Sequence, residues 1–103
     1  MPPIPSSVLM QLERIEAEMR RIGMWQQVPL APEQYDFRAA FALDTMSFSQ
    51  WLQFIFIPNV RAAASQNKFP ASSHVAAQAV REFDTVPEAS QLVRLLSEFD
   101  ALF

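Results

Sequence analysis

The 103-residue chain has no cysteine, a single histidine, a single lysine and a single glycine. Without cysteine there is no disulfide, and no thiolate to bind zinc or attack a substrate. The lone histidine, His74, lacks the companions that a metal or acid–base centre needs, and beside two serines at the start of a helical segment it reads as an exposed first-turn residue. Long apolar runs are also missing. The densest, Phe48 to Ile57, is interrupted by Ser49, Gln50 and Gln53 and is about half the length of a bilayer span. The opening MPPIPSS has neither the basic nor the apolar region of a secretory signal. The expectation is a cytoplasmic protein with no membrane attachment. Glycine-rich phosphate loops, alternating strand patterns and internal repeats do not occur either.

Charge of one sign is scarce as well. Eleven acidic residues against eight basic ones give a net charge of −3, which argues against a protein whose main task is neutralising phosphates. Seven of the eight basic residues are arginine, the side chain that forks onto carboxylates and phosphates, so any basic face has to be assembled by the fold.

What is present is helical periodicity in four segments. In SSVLMQLERIEAEMRRIG, Val8, Leu12, Ile15, Met19 and Ile22 recur every three or four residues, a narrow stripe for packing on other helices. Ser6 or Ser7 is placed to cap its start and Gly23 to end it in a left-handed turn, leaving residues 1–6 as an expected flexible start. Glu16 stands four before Arg20, and Glu18 lies between Arg14 and Arg21, so the outer face mixes signs. From Met24 to Thr45, Pro29 and Pro32 break the chain. Pro32-Glu33-Gln34-Tyr35 suits a helical turn, with Ala39, Ala40 and Phe41 following, and Trp25, Tyr35, Phe37 and Phe41 are expected to pack across helix ends.

The stretch SFSQWLQFIFIPNVR begins with Ser47 followed three residues later by Gln50, a capping box. At helical spacing Phe48, Trp51, Leu52, Phe54, Ile55 and Phe56 cover half the circumference, with Ser49, Gln50 and Gln53 on the polar side. So broad a stripe must touch more than one neighbour, which makes this the central helix, ended or kinked at Pro58 with a continuation to about Ser65. SSHVAAQAVREFDTV places Ala76, Ala79, Val80 and Phe83 on one face behind a cap at Ser72 or Ser73. Thr85-Val86-Pro87-Glu88 reads as a new start, followed by the stripe Ala89, Leu92, Leu95, Leu96, Phe99, Leu102 and Phe103. The predicted fold is all-α: one domain over 1–103, a small antiparallel four-helix bundle with a long, proline-broken connection between helices 1 and 2.

GMWQ at 23–26, the block FALDTMSFSQWLQFIFIPNVRA at 41–62 and the spacing to the final leucine-rich helix resemble the YqcC-like family of small bacterial proteins, over nearly the whole chain. The resemblance implies a helical bundle of the bacterial cytoplasm without an established enzymatic activity, associated by genome neighbourhood with tRNA pseudouridine synthase C. Asn59 departs from the basic residue expected after the central proline.

The remaining residues that carry chemistry have structural readings. Asp44 and Thr45 are placed to cap or orient the central helix. Asp36, Asp84 and Asp100, with Glu33 or Glu82, supply carboxylates, but no spacing sets two on one face of an apolar pocket. Met10, Met19 and Met24 suit gap-filling near helix 1. No catalytic residue, cofactor or metal is expected, and hence no enzyme. Nine Phe, two Trp and one Tyr exceed what a small core readily takes. Phe48, Trp51, Leu52 and Ile55 are expected inside, with Phe54, Phe56 and Trp25 at the margins, where exposed aromatics anchor partners. Together with Arg20, Arg21 and Arg61 these form the expected partner-binding set. The favoured function is an interaction module binding a protein, the pseudouridine synthase or its tRNA complex, with a homodimer as a structural variant. The alternatives are a small-ligand binder with amides such as Gln50, Gln53 or Asn59 in a cleft, and a direct tRNA binder through an arginine face.

Overall fold

The computed structural model describes residues 3–103, which are all-helical with four helices and short 3₁₀ turns and contain no strand. Helix α1 is Pro5–Arg21. Helix α2 runs from 48 to 65 in three consecutive parts: Phe48–Trp51 α-helical, Leu52–Phe56 in the wider π form, and Ile57–Ser65 α-helical again. Helix α3 is Val75–Glu82 and helix α4 is Ser90–Asp100. Of the expected flexible start, residues 1–2 lie outside the described residues, whereas Pro5 and Ser6 are already helical.

Helix α1 buries Val8, Leu12, Ile15 and Met19 completely, the stripe its spacing predicts. Neither Ser6 nor Ser7 caps it. The boundary residue is Ile4, whose carbonyl accepts from the amides of Ser7 and Val8 at 3.0 and 3.1 Å, because Pro5 in the first helical position needs no partner for a missing N–H. Gly23 ends the helix with φ +77°, the left-handed geometry that favours glycine.

Proline also shapes α2. Pro58 has no N–H to give back along the helix, and its ring crowds the carbonyl four residues earlier. The chain answers by widening: the Ile57 amide donates to the Leu52 carbonyl, five residues back, and the α-helix resumes with Pro58 in its first turn. The Ser47–Gln50 capping box forms at the start, with Ser47 N–H donating to Gln50 Oε1 at 2.9 Å and Gln50 N–H to Ser47 Oγ at 3.2 Å.

Closest packing joins α1 to α4, α3 to α4 and α1 to α2. Rings span the wider space between α2 and the α3–α4 pair: Phe48 meets Phe83, and Phe56 meets Phe99, edge to face at 5.6 and 5.1 Å. Leu92, Leu96 and Phe99 of α4 complete the core. A second, smaller core lies under the 24–45 connection, where Leu30, Ala42 and Met46 pack with Trp51, Phe54 and Ile55.

Several expectations about faces are corrected. Gln53 belongs to the buried side of α2, at 8 % exposure, and Ile57 is fully buried, because the π segment rotates the residues after Leu52 relative to a regular helix. Trp51 is only half-buried. Val75 rather than Val80 fills the core from α3. In the connection Tyr35 and Phe37 are exposed, at 49 % and 37 %. Trp25 and Phe41 alone of the four aromatics there pack against the main core, with Phe41 and Ala42 both in the left-handed region at φ 56° and 54°. No helix among the described residues is long and apolar enough to cross a membrane.

Candidate functional site

The residues expected to bind a partner divide sharply. Trp25, Arg20 and Arg61 are brought together. The Arg20 guanidinium lies over the Trp25 ring at 4.7 Å from its centroid, and its Nε donates to Glu16 Oε2 at 3.1 Å. The other oxygen of Glu16 accepts from Arg61 Nη2 at 3.0 Å. Each Glu16 oxygen thus holds one arginine, the first from its own helix and the second from α2. The outcome is a surface strip Trp25–Arg20–Glu16–Arg61 in which one carboxylate faces two guanidiniums. A stacked, tethered guanidinium over an indole is an ordered contact of the kind that anchors interfaces. Glu16 was legible as a neighbour of Arg20, four residues away, but nothing local points to Arg61, 45 residues further on.

Arg21 turns the other way. Its Nε donates to Glu18 Oε1 at 2.8 Å, so Glu18 pairs with Arg21 and not with Arg14. That hydrogen bond is the main cause holding the Glu18 carboxyl below its ordinary range, against the opposing effect of burial, with the Arg21 charge adding to it. Phe56 is withdrawn from the partner set: at 7 % exposure it is core, because the π segment turns it inward onto Phe99. Phe54 is half-buried over the small core of Leu30, Ala42 and Met46.

The amides also find work in the fold. The Gln26 amide donates to Gln53 Oε1 at 3.0 Å while Gln53 Nε2 donates to the Gln26 carbonyl at 2.9 Å. Gln50 Nε2 donates to Gln26 Oε1 at 3.1 Å. These bonds pin the chain leaving α1 to α2. Thr45 and Asp44 brace the connection instead of the helix they precede: Thr45 Oγ1 donates to the Gln34 carbonyl at 2.6 Å, and Asp44 Oδ2 accepts from the Arg38 amide at 3.0 Å. The Arg38 amide is the first cause of the lowered Asp44 carboxyl.

Asp100 has a role that its sequence position does not announce. Its carboxylate accepts from Ser73 Oγ at 2.6 Å and from the amides of Val75 and Ala76 at 3.1 and 2.8 Å. The start of α3 is therefore capped by the end of α4, not by Ser72 or Ser73. His74 occupies the cap position without a side-chain bond there and is exposed. Among the described residues no group of three metal-ligating side chains gathers.

Between α2 and the end of α4 lies a cavity of about 260 Å³, walled by rings including Trp51, Phe56, Phe69, Phe99 and Phe103, with Asn59 at its mouth. A larger depression of about 970 Å³ adjoins it beside residues 3–5 and 67–71 and shares Phe69, Pro70 and Phe103 with it, both spaces being partly open to solvent.

Comparison with known proteins connects this architecture to a family. The family DUF446, described as tRNA pseudouridine synthase C, matches residues 7–102. The chain is 33% identical over 96 residues to an uncharacterized protein of Haemophilus influenzae, covering 88% of this chain and 87% of that protein. It is 30% identical over 99 residues to the uncharacterized protein YqcC of Escherichia coli K12, covering 93% of this chain and 90% of that one. The solution NMR structure of Escherichia coli YqcC superposes with a TM-score of 0.86 at 26% identity, covering 99% of this chain and 88% of the other. A shorter similarity, 37% over 57 residues, reaches a Pectobacterium carotovorum protein named tRNA pseudouridine synthase C, covering 55% of this chain but 15% of that protein.

Proposed function

This chain belongs to the YqcC-like family, and from that membership we propose that it is a helical accessory protein, without chemistry of its own, that assists a tRNA pseudouridine synthase or its complex with tRNA. The observation that carries the reading is the 57-residue similarity to part of a polypeptide named tRNA pseudouridine synthase C, which places a segment like more than half of this chain within a protein of that name. The strip Trp25–Arg20–Glu16–Arg61 supplies a surface suited to a protein partner: an indole held under a guanidinium, with charges already oriented, loses little freedom on binding. Phe54, half-buried over the small core as Trp25 is over the main one, is the second candidate aromatic.

Calorimetric titration of the chain into the synthase of the same organism, with and without tRNA, tests the proposal. Saturable binding is expected, weakened about tenfold or more, or 1.4 kcal/mol per tenfold, by Trp25→Ala and by Arg20→Ala. Absence of binding both with and without tRNA would overturn it.

A further inference from the structure

The ring-walled cavity between α2 and the end of α4 is a candidate for more than packing. In a regular α-helix, residues five apart lie about 140° apart around the axis, so Trp51 and Phe56 would face different ways. The π turn over Leu52–Phe56, with its bond from residue 57 back to residue 52, brings them onto one side, where their rings meet at 5.4 Å and both line the same space. Such π segments recur at functional sites. Phe69 and Phe103, edge to face at 5.7 Å, close the far wall.

Size and polarity restrict what fits. A dry cavity of roughly 150 Å³ takes a benzene ring, and cofactor-sized sites begin at about 300 Å³; at about 260 Å³ this space suits one ring or a fused pair. No charged side chain lines it, which disfavours phosphates and carboxylates. Ser73 borders it and gives its hydroxyl proton to Asp100, which leaves only the oxygen's lone pairs to accept from a ligand. Asn59 is exposed at the mouth, its carboxamide unused by the hydrogen bonds that tie the described residues together. We propose that this cavity is a binding site for a small, neutral aromatic compound of one or two rings, seated between the Trp51–Phe56 side and the Phe69–Phe103 wall, with one N–H or O–H donated to Asn59. The site stands apart from the synthase association and does not depend on it.

The probe is indole, titrated into the full chain while ¹H–¹⁵N spectra are recorded. Saturable shifts are expected at Trp51 Nε1–H and the Asn59 side-chain amide, with a dissociation constant on the order of 1 mM or tighter, and with the Trp25 indole signal unmoved. 1-Methylindole, which cannot donate, should bind several-fold more weakly, and Asn59→Ala, a change at an exposed position, should abolish that difference. Ala63→Phe, which fills the cavity, should remove binding if its spectrum stays native. Shifts that never saturate, Trp25 moving in step with Trp51, or an indole preference that survives Asn59→Ala would each overturn the site. Binding of N-acetyl-tryptophanamide where free indole fails would overturn it too, in favour of a peptide anchor.

Discussion

Gln53 and Gln26 hold each other by two opposed hydrogen bonds, side-chain amide to main-chain peptide, at 3.0 and 2.9 Å. The carboxamide of Gln53 stands in for a strand neighbour, satisfying both main-chain polar groups of one residue, Gln26, at the point where the chain leaves α1. Three glutamines, two of them on α2, therefore set where the 24–45 connection departs.

Removing that clasp should cost more than a surface glutamine would. Gln53→Ala strands an N–H and a C=O at Gln26 in a partly buried setting, for an expected loss of about 1–3 kcal/mol. Urea unfolding of Gln53→Ala beside the exposed control Gln66→Ala checks this. A loss at Gln53 within about half a kcal/mol, the usual surface scatter, would show that water replaces the clasp freely.

Leu52, the adjacent residue, tests the core. It is 0 % exposed and sits among the residues of the main core, so Leu52→Ala should lower stability by about 2–5 kcal/mol. Denaturation midpoints measured with circular dichroism, where the chain should show mostly helix and unaltered melting in the presence of chelator, give the value. A smaller loss would place α2 in a different rotation.

The Glu18–Arg21 pair predicts a response to acid. Because the folded carboxyl is held below its ordinary value of 4.5, chiefly by the Arg21 hydrogen bond, its contribution is fully present above pH 4.5 and is lost as pH falls through the lowered folded value. Stability plotted against pH should therefore decline less steeply on the acid side in Glu18→Gln than in the unaltered chain. Parallel acid limbs would mean that the pair adds nothing across that range.

Why some of this was legible in the sequence and some was not follows from range. The α1 stripe, the Gly23 stop, the Ser47–Gln50 box and the Glu16–Arg20 pair are settled within one or two helical turns, and local spacing predicts them. A period of 3.6 sets Gln53 outside and Phe56 at the margin, and it fails over the five residues of the π turn that Pro58 imposes upstream of itself. Asp100, Arg61 and Gln26 find partners 24 to 45 residues away, and no local signal carries that information. Of the candidate surface, Trp25, Arg20 and Arg61 are named from the sequence and Glu16 is placed beside Arg20, whereas the Glu16–Arg61 bond that joins them is not foreseen. The cavity depends on both the π turn and the return of α4, so only Asn59, as an amide beside the aromatic block, marked it beforehand.

Asp100 offers a test of one long-range connection. Asp100→Ala removes the acceptor for Ser73 and for the first two amides of α3, a loss of about 0.5–2 kcal/mol if it behaves as an N-cap. Hydrogen exchange should quicken at Val75 and Ala76 more than at Leu12 or Ile15. Uniform quickening throughout the chain would instead assign Asp100 to global stability alone.

The arginines bear on whether the chain takes hold of RNA unaided. Arg20 and Arg61 share Glu16, and Arg21 is held by Glu18, so these three arginines already face two carboxylates, in a chain whose net charge is −3. To reach phosphates they must give up those partners. The isolated chain should therefore bind tRNA weakly, with a shallow dependence on salt, since the slope counts phosphates neutralised at about 0.7 to 0.9 per contact. Fluorescence anisotropy at two or more salt concentrations measures it, with Glu16→Gln as the informative variant: freeing both arginines should strengthen and steepen tRNA binding. Tight binding by the unaltered chain, falling steeply with salt and lost on replacing Arg20, Arg21 and Arg61, would instead establish direct RNA recognition and displace the accessory reading.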